Sequence, residues 1–281
     1  MKRTPDARGA CTSLVAATAC LAGLAAANPS RGAPPYAAAQ PALRFEYWQQ
    51  RLLSITAELE RTEDLRAVRL VFLGDSITDF WQLGASPWFP GHNYGRRLWD
   101  ESFGGQFPAN RAINLGISGD RTEHVLYRIL PRDLGGLGEL DATELDPDFV
   151  VLMIGINNTW GGEEPLVDSV YAGIRAVVDA VHARKPRAIV ILQSLLPTNE
   201  HAKSREVVDP VNARLVELAH ATPHSSYTRY LDMHSAFVDG HGRPIDAYYI
   251  DGLHPNEAGY RVWRDRLVPF ISELRHEAGA R

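Results

Sequence analysis

Five short apolar segments recur along this chain with room for a helix between them, and this alternation restricts the possible folds more than any other feature. The segments are residues 68–73, 112–115, 149–154, 188–192 and 227–231. Near-continuous apolar runs of this length are typical of strands that are buried on both faces. Strands that alternate with helices pair in parallel, and the helices cover the faces of the sheet. The sequence therefore predicts an α/β fold around a five-stranded parallel sheet.

Apolar residues at helical spacing mark several of the segments around these strands. They are Phe45, Trp48, Leu52, Ile55 and Leu59 before the first strand, Val170, Ile174, Val177 and Val181 after the third, Val211, Leu215 and Leu218 after the fourth, and Tyr260, Trp263, Leu267 and Ile271 at the end. We interpret these side chains as packing residues. Asn256 precedes the last group and is a good N-cap residue, so we expect a helix to begin there.

The N-terminal residues have the layout of a secretory signal peptide. Lys2, Arg3 and Arg8 precede an uncharged run rich in Ala and Leu, and small residues lead up to Ala27. Positive charge, an apolar run and a small-residue cleavage site are the three parts of such a peptide. We therefore expect residues 1–27 to direct the chain to a secreted or periplasmic location.

The segment after the expected cleavage site reads as a linker and leads into one domain. Residues 28–42 are rich in Pro, Ala and Gly, and residues 43–281 contain all the strand candidates. Both cysteines, Cys11 and Cys20, precede the linker, so the processed chain would have neither a disulfide nor a cysteine nucleophile. Lipid attachment at Cys20 is an alternative that the residues before it disfavour, since they lack the usual Leu.

Composition and charge exclude several classes of protein. With 45% hydrophobic and 22% charged residues, the chain is an ordinary globular one. Its net charge of -5 does not provide the basic surface that nucleic-acid binding requires. No apolar run outside the signal peptide approaches the length of about 20 residues that a membrane span needs, so we expect no stable membrane insertion. Nothing in the sequence indicates the oligomeric state.

Polar residues follow the first three strands, where sites form in folds of this class. Ser76 follows Gly74 and Asp75 at the end of the first strand, and it is either part of a capped turn or an exposed nucleophile beside a helix N-terminus. Gly119 follows the second strand and Asn157 the third. Each of these two either shapes a turn or supplies an N–H donor to a substrate oxygen.

An acid and an imidazole lie close together near the C-terminal end of the chain. Asp251 and His254 are three residues apart, so both reach one site from a short turn. In that arrangement His254 acts as a general base and Asp251 holds its tautomer. The pair alone is more often structural, and the argument rests on its occurrence together with Ser76, Gly119 and Asn157 at successive strand ends.

These blocks together resemble the SGNH hydrolases, also called the GDSL esterase/lipase family. The matching blocks are Gly74-Asp75-Ser76, Gly119, Gly155-Ile156-Asn157-Asn158 and Asp251-x-x-His254, in that order. The segments 71–76, 114–126 and 155–158 are most similar to the branch that contains the catalytic subunits of intracellular platelet-activating-factor acetylhydrolase and their bacterial relatives. Many family members have Asp where this chain has Asn158, but this branch shares the Asn.

The resemblance implies a three-layer, flavodoxin-like fold and ester hydrolysis without a metal or other cofactor. It assigns Ser76 as the nucleophile, His254 as the base and Asp251 as the partner of His254. It places the backbone N–H groups of Ser76 and Gly119, together with the Asn157 side chain, in the oxyanion hole.

Three tryptophans follow the first and third strands and are candidates for substrate contacts. Trp81, Trp88 and Trp160 have aromatic faces that suit sugar rings or acyl chains, although tryptophans also pack beneath loops. We further expect Asp120 and Arg121 to brace the loop of Gly119 through a salt bridge.

The predicted function is a secreted serine esterase that removes short acyl groups, most simply acetyl, from carbohydrates or other polar alcohols. Three alternatives stay open at this point. One is a lipid-directed acylhydrolase acting on a phospholipid-like ester. Another is a metal-dependent phosphoesterase with Asp75, Asn157, Asp251 and His254 as ligands. The third is a non-catalytic binding module on an esterase scaffold.

Overall fold

Five parallel β-strands form the sheet at the centre of the fold in a computed structural model, which describes residues 36–44, 48–62 and 64–279. The strands are β1 (Leu70–Gly74), β2 (Ala112–Asn114), β3 (Phe149–Met153), β4 (Ile189–Gln193) and β5 (Thr228–Leu231). Every neighbouring pair is parallel. The prediction of a five-stranded parallel sheet is therefore confirmed, with strand boundaries within about two residues of those expected.

Helices flank the sheet and connect its strands. They are α1 (Trp48–Arg61), α2 (Ser76–Asp79), α3 (Arg96–Ser102), α4 (Thr122–Ile129), α5 (Leu166–Arg184), α6 (His201–Lys203), α7 (Asp209–His220) and α8 (Glu257–Gly279). A π-helical segment, Ser204–Val208, joins α6 to α7. The side-chain oxygen of Asn256 accepts hydrogen bonds from the N–H groups of Ala258 and Gly259, so Asn256 caps α8 as the sequence predicts.

Apolar side chains from the strands and from one face of each long helix form a single core. All residues of β1 and β3 are buried, which explains their unbroken apolar sequences. The predicted packing positions of α5 and α8 are buried against the sheet as well. Because apolar side chains fill the space between sheet and helices, we expect the polar side chains of a site in the loops at the strand ends.

The strand order determines where those loops meet. The order across the sheet is β2-β1-β3-β4-β5, which is that of flavodoxin-like folds. The chain runs from β1 to one side for β2 and to the other side for β3. Ligands in such sheets bind beyond the carboxyl ends of the strands at this reversal point. The loops after β1, β2 and β3 are the ones that carry Ser76, Gly119 and Asn157.

Some predictions concern residues outside the described part of the chain. The signal peptide over 1–27, Cys20 and the first packing position, Phe45, all lie there. The described part of the predicted linker contains a 3₁₀ turn, Ala37–Ala39, that contacts α4 and α5. No helix in the described ranges combines the length and the hydropathy that a bilayer-spanning segment requires.

Candidate active site

The turn after β1 places Ser76 at the start of a helix. Gly74 ends β1 so close to the carbonyl of Met153 and the side chain of Thr78 that a Cβ atom would collide with both. The Asp75 side chain caps α2 by accepting a hydrogen bond of 3.0 Å from the N–H of Ile77. Because Asp75 does the capping, the Ser76 hydroxyl is free for another role.

The Ser76 hydroxyl lies beside an imidazole that is held by a carboxylate. Ser76 Oγ is 2.9 Å from His254 Nε2, and His254 Nδ1 is 2.7 Å from Asp251 Oδ2. The other Asp251 oxygen accepts hydrogen bonds from the N–H groups of Leu253 and His254 at 3.0 and 2.8 Å. The structure thus brings the three predicted catalytic side chains together, although 178 residues separate Ser76 from His254 along the chain.

The hydrogen bonds to Asp251 determine its charge. Burial by itself raises the pKa of Asp251, but the hydrogen bonds from the His254 ring and from two backbone N–H groups outweigh this effect and lower the pKa to about 2. The carboxylate is therefore ionised at neutral pH. An ionised Asp251 keeps the proton of His254 on Nδ1, which leaves Nε2 as an acceptor for the Ser76 hydroxyl proton.

Three predicted oxyanion donors lie at the ends of three adjacent strands. Ser76 follows β1, Gly119 follows β2 with a φ of 79°, and Asn157 follows β3 in a 3₁₀ turn, Ile156–Trp160. The Asn157 amide donates one hydrogen bond of 2.8 Å to the carbonyl of Asp120, and its second hydrogen has no acceptor in the described part of the chain. Within the described part of the chain, the N–H groups of Ser76 and Gly119 donate to no protein group.

The loop that carries Gly119 is braced by a buried carboxylate. Asp120 is fully buried and accepts hydrogen bonds from Trp48 Nε1 and Arg128 Nε, both at 2.9 Å, and from Arg44 Nη1 at 3.3 Å. The predicted salt bridge between Asp120 and Arg121 is wrong, because the nearest carboxylate to Arg121 is that of Glu123 at 4.0 Å.

Arg44 and Trp48 make hydrogen bonds to the candidate site that the sequence analysis missed. Trp48 was expected only to pack, and its ring is indeed buried, but the indole N–H also ties α1 to the site. Asn158 likewise links the turn after β3 to the first turn of α4, accepting a hydrogen bond from the N–H of Thr122 and donating one to Glu123. No local sequence pattern marks these contacts, because each joins elements that are far apart in the chain.

The three predicted substrate-binding tryptophans have different environments. Trp81 is fully buried, so its predicted place in the substrate cleft is wrong. Its ring packs against Trp99, Phe103, Tyr260 and Trp263. Trp81 is therefore a packing residue, which was the alternative interpretation of the sequence.

Trp88 and Trp160 are exposed near the site. Trp88 is 52% exposed and lies 5.3 Å from the ring of Phe80, which is in turn 5.1 Å from the ring of His254. Trp160 is 44% exposed, and Lys203 Nζ lies 3.4 Å from the centre of its ring. Both positions are compatible with substrate contact, and that role stays a prediction.

The described residues do not gather ligands for a metal ion. They contain no group of three or more His, Cys, Asp and Glu side chains with that arrangement. Both ring nitrogens of His254 are engaged, one with Ser76 and one with Asp251. This arrangement favours a serine mechanism over one in which His254 is a metal ligand.

Comparison with known proteins agrees with the geometry. Residues 72–262 match the GDSL-like Lipase/Acylhydrolase family. Platelet-activating factor acetylhydrolase IB subunit alpha1 of Bos taurus is 30% identical over 220 residues, which cover 75% of this chain and 80% of that protein. The protein of the same name from Homo sapiens is 31% identical over 196 residues, which cover 68% of this chain and 70% of that one. A crystal structure of a GDSL-like lipase from Bacteroides thetaiotaomicron has the same fold, with a TM-score of 0.56 at 22% identity over 81% of this chain and 98% of that one.

Proposed function

We propose that this chain, which belongs to the GDSL-like lipase/acylhydrolase family and is a carboxylic ester hydrolase, cleaves short-chain acyl esters with Ser76 as its nucleophile. The observation that carries the proposal is the continuous line of hydrogen bonds from Ser76 through His254 to Asp251. A serine that donates to an oriented imidazole is the arrangement that activates a hydroxyl for attack on an ester.

The reaction proceeds through an acyl-enzyme. His254 Nε2 takes the hydroxyl proton as Ser76 Oγ attacks the ester carbonyl, and Asp251 stabilises the imidazolium that forms. The oxyanion accepts hydrogen bonds from the N–H groups of Ser76 and Gly119 and from the Asn157 amide. His254 then gives its proton to the leaving alcohol. Water hydrolyses the acyl-enzyme by the same steps, with His254 again as base.

Acetyl esters of polar alcohols, carbohydrates included, are the proposed substrates. The bovine and human relatives are named as acetylhydrolases, which supports acetyl as the acyl group. The exposed rings of Trp88 and Trp160 suit the faces of sugars. The net charge of -5 provides no attraction to an anionic bilayer. Export of the processed chain to the periplasm or the medium belongs to the same proposal and would place it near such substrates.

A lipid-directed acylhydrolase is the second candidate. It is favoured by the names of the same relatives, which specify platelet-activating factor as their substrate. The two candidates share the acyl-transfer chemistry at Ser76 and differ in the alcohol that leaves.

A hydrolysis panel tests the proposal and separates the two candidates. Aryl acetate, butyrate and octanoate, acetylated xylan, and vesicles containing a 2-acetyl phospholipid would be compared at equal enzyme concentration. We expect the highest kcat/KM on acetyl esters of water-soluble alcohols. The Ser76→Ala variant serves as the blank and should fold normally but lose at least about 10³-fold in rate.

The matched control is Ser226→Ala, which removes an exposed hydroxyl just before β5, at the amino end of the strands, and should leave the rate unchanged. Substantial hydrolysis by Ser76→Ala would contradict the assigned nucleophile. A preference for the vesicles over acetylated xylan would instead support the lipid-directed candidate.

A further inference from the structure

Residues 36–44, called the N-terminal strap below, cross the elements that follow the Gly119 loop. The Thr122 hydroxyl donates a hydrogen bond of 2.7 Å to the carbonyl of Ala38, and the N–H of Ala42 donates one of 2.9 Å to the carbonyl of Glu123. The strap is therefore anchored to the first turn of α4. It precedes residues 72–262, which match the family.

The last residue of the strap reaches the peptide that supplies an oxyanion donor. Arg44 Nη1 donates a hydrogen bond of 2.7 Å to the carbonyl of Ser118 and one of 3.3 Å to Asp120 Oδ1. A Cβ atom added to Gly119 would lie only 2.5 Å from Arg44 Nη2. The guanidinium thus fills the space that a side chain at Gly119 would otherwise take.

The Ser118 carbonyl and the Gly119 N–H belong to the same peptide group. In a planar trans peptide the C=O and the N–H point in opposite directions. A cation bonded to the Ser118 oxygen therefore fixes the direction of the Gly119 N–H and also polarises it as a donor. On the other side of the loop, Asp79 Oδ2 accepts a hydrogen bond of 3.0 Å from the N–H of Ser118.

We propose that Arg44 is a positioning residue that orients and polarises the Gly119 peptide for the oxyanion, so that the N-terminal strap completes the catalytic site. This inference rests on the proposed function, since it requires an oxyanion at Gly119. Arg44 acts through the peptide and need not touch the substrate.

The contacts of Arg44 indicate that this role is more than support of the loop. Asp120 keeps two shorter hydrogen bonds, from Trp48 and Arg128, when Arg44 is removed. The Arg44 side chain is 23% exposed, so water can replace it without leaving a sealed cavity. Its shortest hydrogen bond is the one to the Ser118 carbonyl, for which no other protein donor is present among the described residues.

The test is a comparison of Arg44→Ala, Arg44→Lys and the matched control Arg184→Ala with the wild type on an aryl acetate. Arg184 is similarly exposed and also ion-paired, with Asp141, but it ends α5 just before β4, at the amino end of the strands. A donor displaced by less than an ångström costs less than the 10²–10³-fold seen when one is deleted, so we expect kcat of Arg44→Ala to fall roughly 10- to 100-fold with KM within about twofold.

Two further measurements distinguish positioning from a general structural effect. The rate at which an aryl phosphonate modifies Ser76 should fall by the same factor as kcat, since that reaction also develops charge in the oxyanion hole, while the final number of modified sites stays at one per chain. Arg44→Lys keeps a cationic donor and should recover part of kcat. Millimolar guanidinium added to Arg44→Ala should also raise its rate.

The outcomes separate this inference from the proposed function. A kcat of Arg44→Ala within twofold of Arg184→Ala would overturn the inference, and so would a loss explained entirely by fewer modifiable sites. If Arg44→Ala does not fold, a full wild-type kcat in folded Arg44→Met, which keeps the bulk of the side chain but has neither the charge nor an N–H donor, would overturn it. Persistent hydrolysis by Ser76→Ala, by contrast, would overturn the proposed function whatever Arg44 does.

Discussion

Two aspartates near Ser76 have opposite electrostatic environments. Asp251 accepts three hydrogen bonds, and its pKa is lowered to about 2 although burial opposes the shift. Asp75 is fully buried, which raises its pKa to about 7, and its Oδ2 atom has no hydrogen-bond partner among the described residues. The same side chain is thus a permanent anion at one position and a titrating group at the other.

Replacement of Asp251 by Asn should remove most of the activity without unfolding the protein. The Asn oxygen can still accept from the N–H groups of Leu253 and His254, so its amide would donate to His254 Nδ1. The ring proton would then sit on Nε2, and Ser76 would lose its acceptor. We expect kcat to fall on the order of 10³–10⁴-fold.

The measurement is kcat and KM of Asp251→Asn on an aryl acetate, with Asp246→Asn, an exposed aspartate in the same loop region, as the control. The control should match the wild type. An Asp251→Asn variant within tenfold of the wild type would show that the imidazole does not depend on this carboxylate.

Replacement of Asp75 by Asn should stabilise the protein increasingly as the pH rises. Its folded pKa of about 7 lies above the unfolded value of 3.8, so between these values the unfolded chain has lost a proton that the native state keeps. Rising pH therefore favours unfolding of the wild type across that window. Above the window, the unfolding free energy lost through Asp75 stays constant. Asn does not titrate, and it can still cap α2.

The quantity to measure is the free energy of unfolding of Asp75→Asn minus that of the wild type. We expect it to increase by about 2–3 kcal/mol between pH 5 and pH 8. The control is Ser226→Ala, which removes no titratable group, and its difference from the wild type should be flat. A flat difference for Asp75→Asn would mean that Asp75 ionises normally in the folded protein.

At the scale of elements, the sequence predicts the strands better than it predicts their ends. Each predicted apolar run overlaps one strand. Burial on both faces explains the unbroken apolar sequences of β1 and β3, whereas the edge strand β5 includes the half-buried Arg229 and Tyr230. Val68 is fully buried but precedes β1, so burial alone does not mark where pairing begins. The pairing of Asp251 with His254 could be predicted from their short spacing in the sequence. That this pair meets Ser76 followed from the rule that parallel strands end at one edge, together with the family resemblance.

Gly74 joins β1 to the catalytic turn, and a substitution there should test how tightly these elements pack. The Cβ of an alanine would collide with the carbonyl of Met153 on β3 and with Thr78 on α2. A carbonyl in the sheet cannot move aside without breaking strand pairing. We expect Gly74→Ala to cost about 3 kcal/mol of stability, near the upper end for overpacked sites.

Chemical denaturation of Gly74→Ala and Gly240→Ala would provide this comparison. A Cβ at Gly240 meets no atom of the described residues within 4 Å, and the φ of Gly240 is not in the left-handed region, so that variant should be as stable as the wild type. Equal stability of the two variants would show that the strand end tolerates a side chain and that the close approach is not a constraint.

At the scale of the whole molecule, contacts between distant segments determine which side chains are buried and which reach the site. Local sequence does not predict these contacts. Trp81 and Trp88 both follow β1, and nothing in their neighbouring residues distinguishes them. Trp81 is buried because Tyr260 and Trp263 of α8 pack on it, at 4.6 and 5.2 Å between ring centres. The contact of Arg44 with the Gly119 loop is likewise between segments that are far apart in the chain, so local sequence does not predict it. Such pairings depend on the completed fold, whereas apolar periodicity and strand-end motifs depend on short segments.

Substitution of the two tryptophans should therefore separate an effect on stability from an effect on substrate binding. Trp81→Ala removes a fully buried ring from the core and should cost about 3–5 kcal/mol, while the surviving folded molecules keep a near-normal kcat and KM. Trp88→Ala removes a ring that is 52% exposed and should change stability by less than about 1 kcal/mol.

If Trp88 contacts the substrate, Trp88→Ala should raise KM roughly fivefold for substrates large enough to reach it, because one aromatic contact is worth about 1 kcal/mol. Denaturation curves and kinetics normalised to phosphonate-modifiable sites would measure both effects. An unchanged KM of Trp88→Ala across small and polymeric acetyl esters would remove Trp88 from the substrate site. A Trp81→Ala variant as stable as the wild type would contradict the packing of α8 against Trp81.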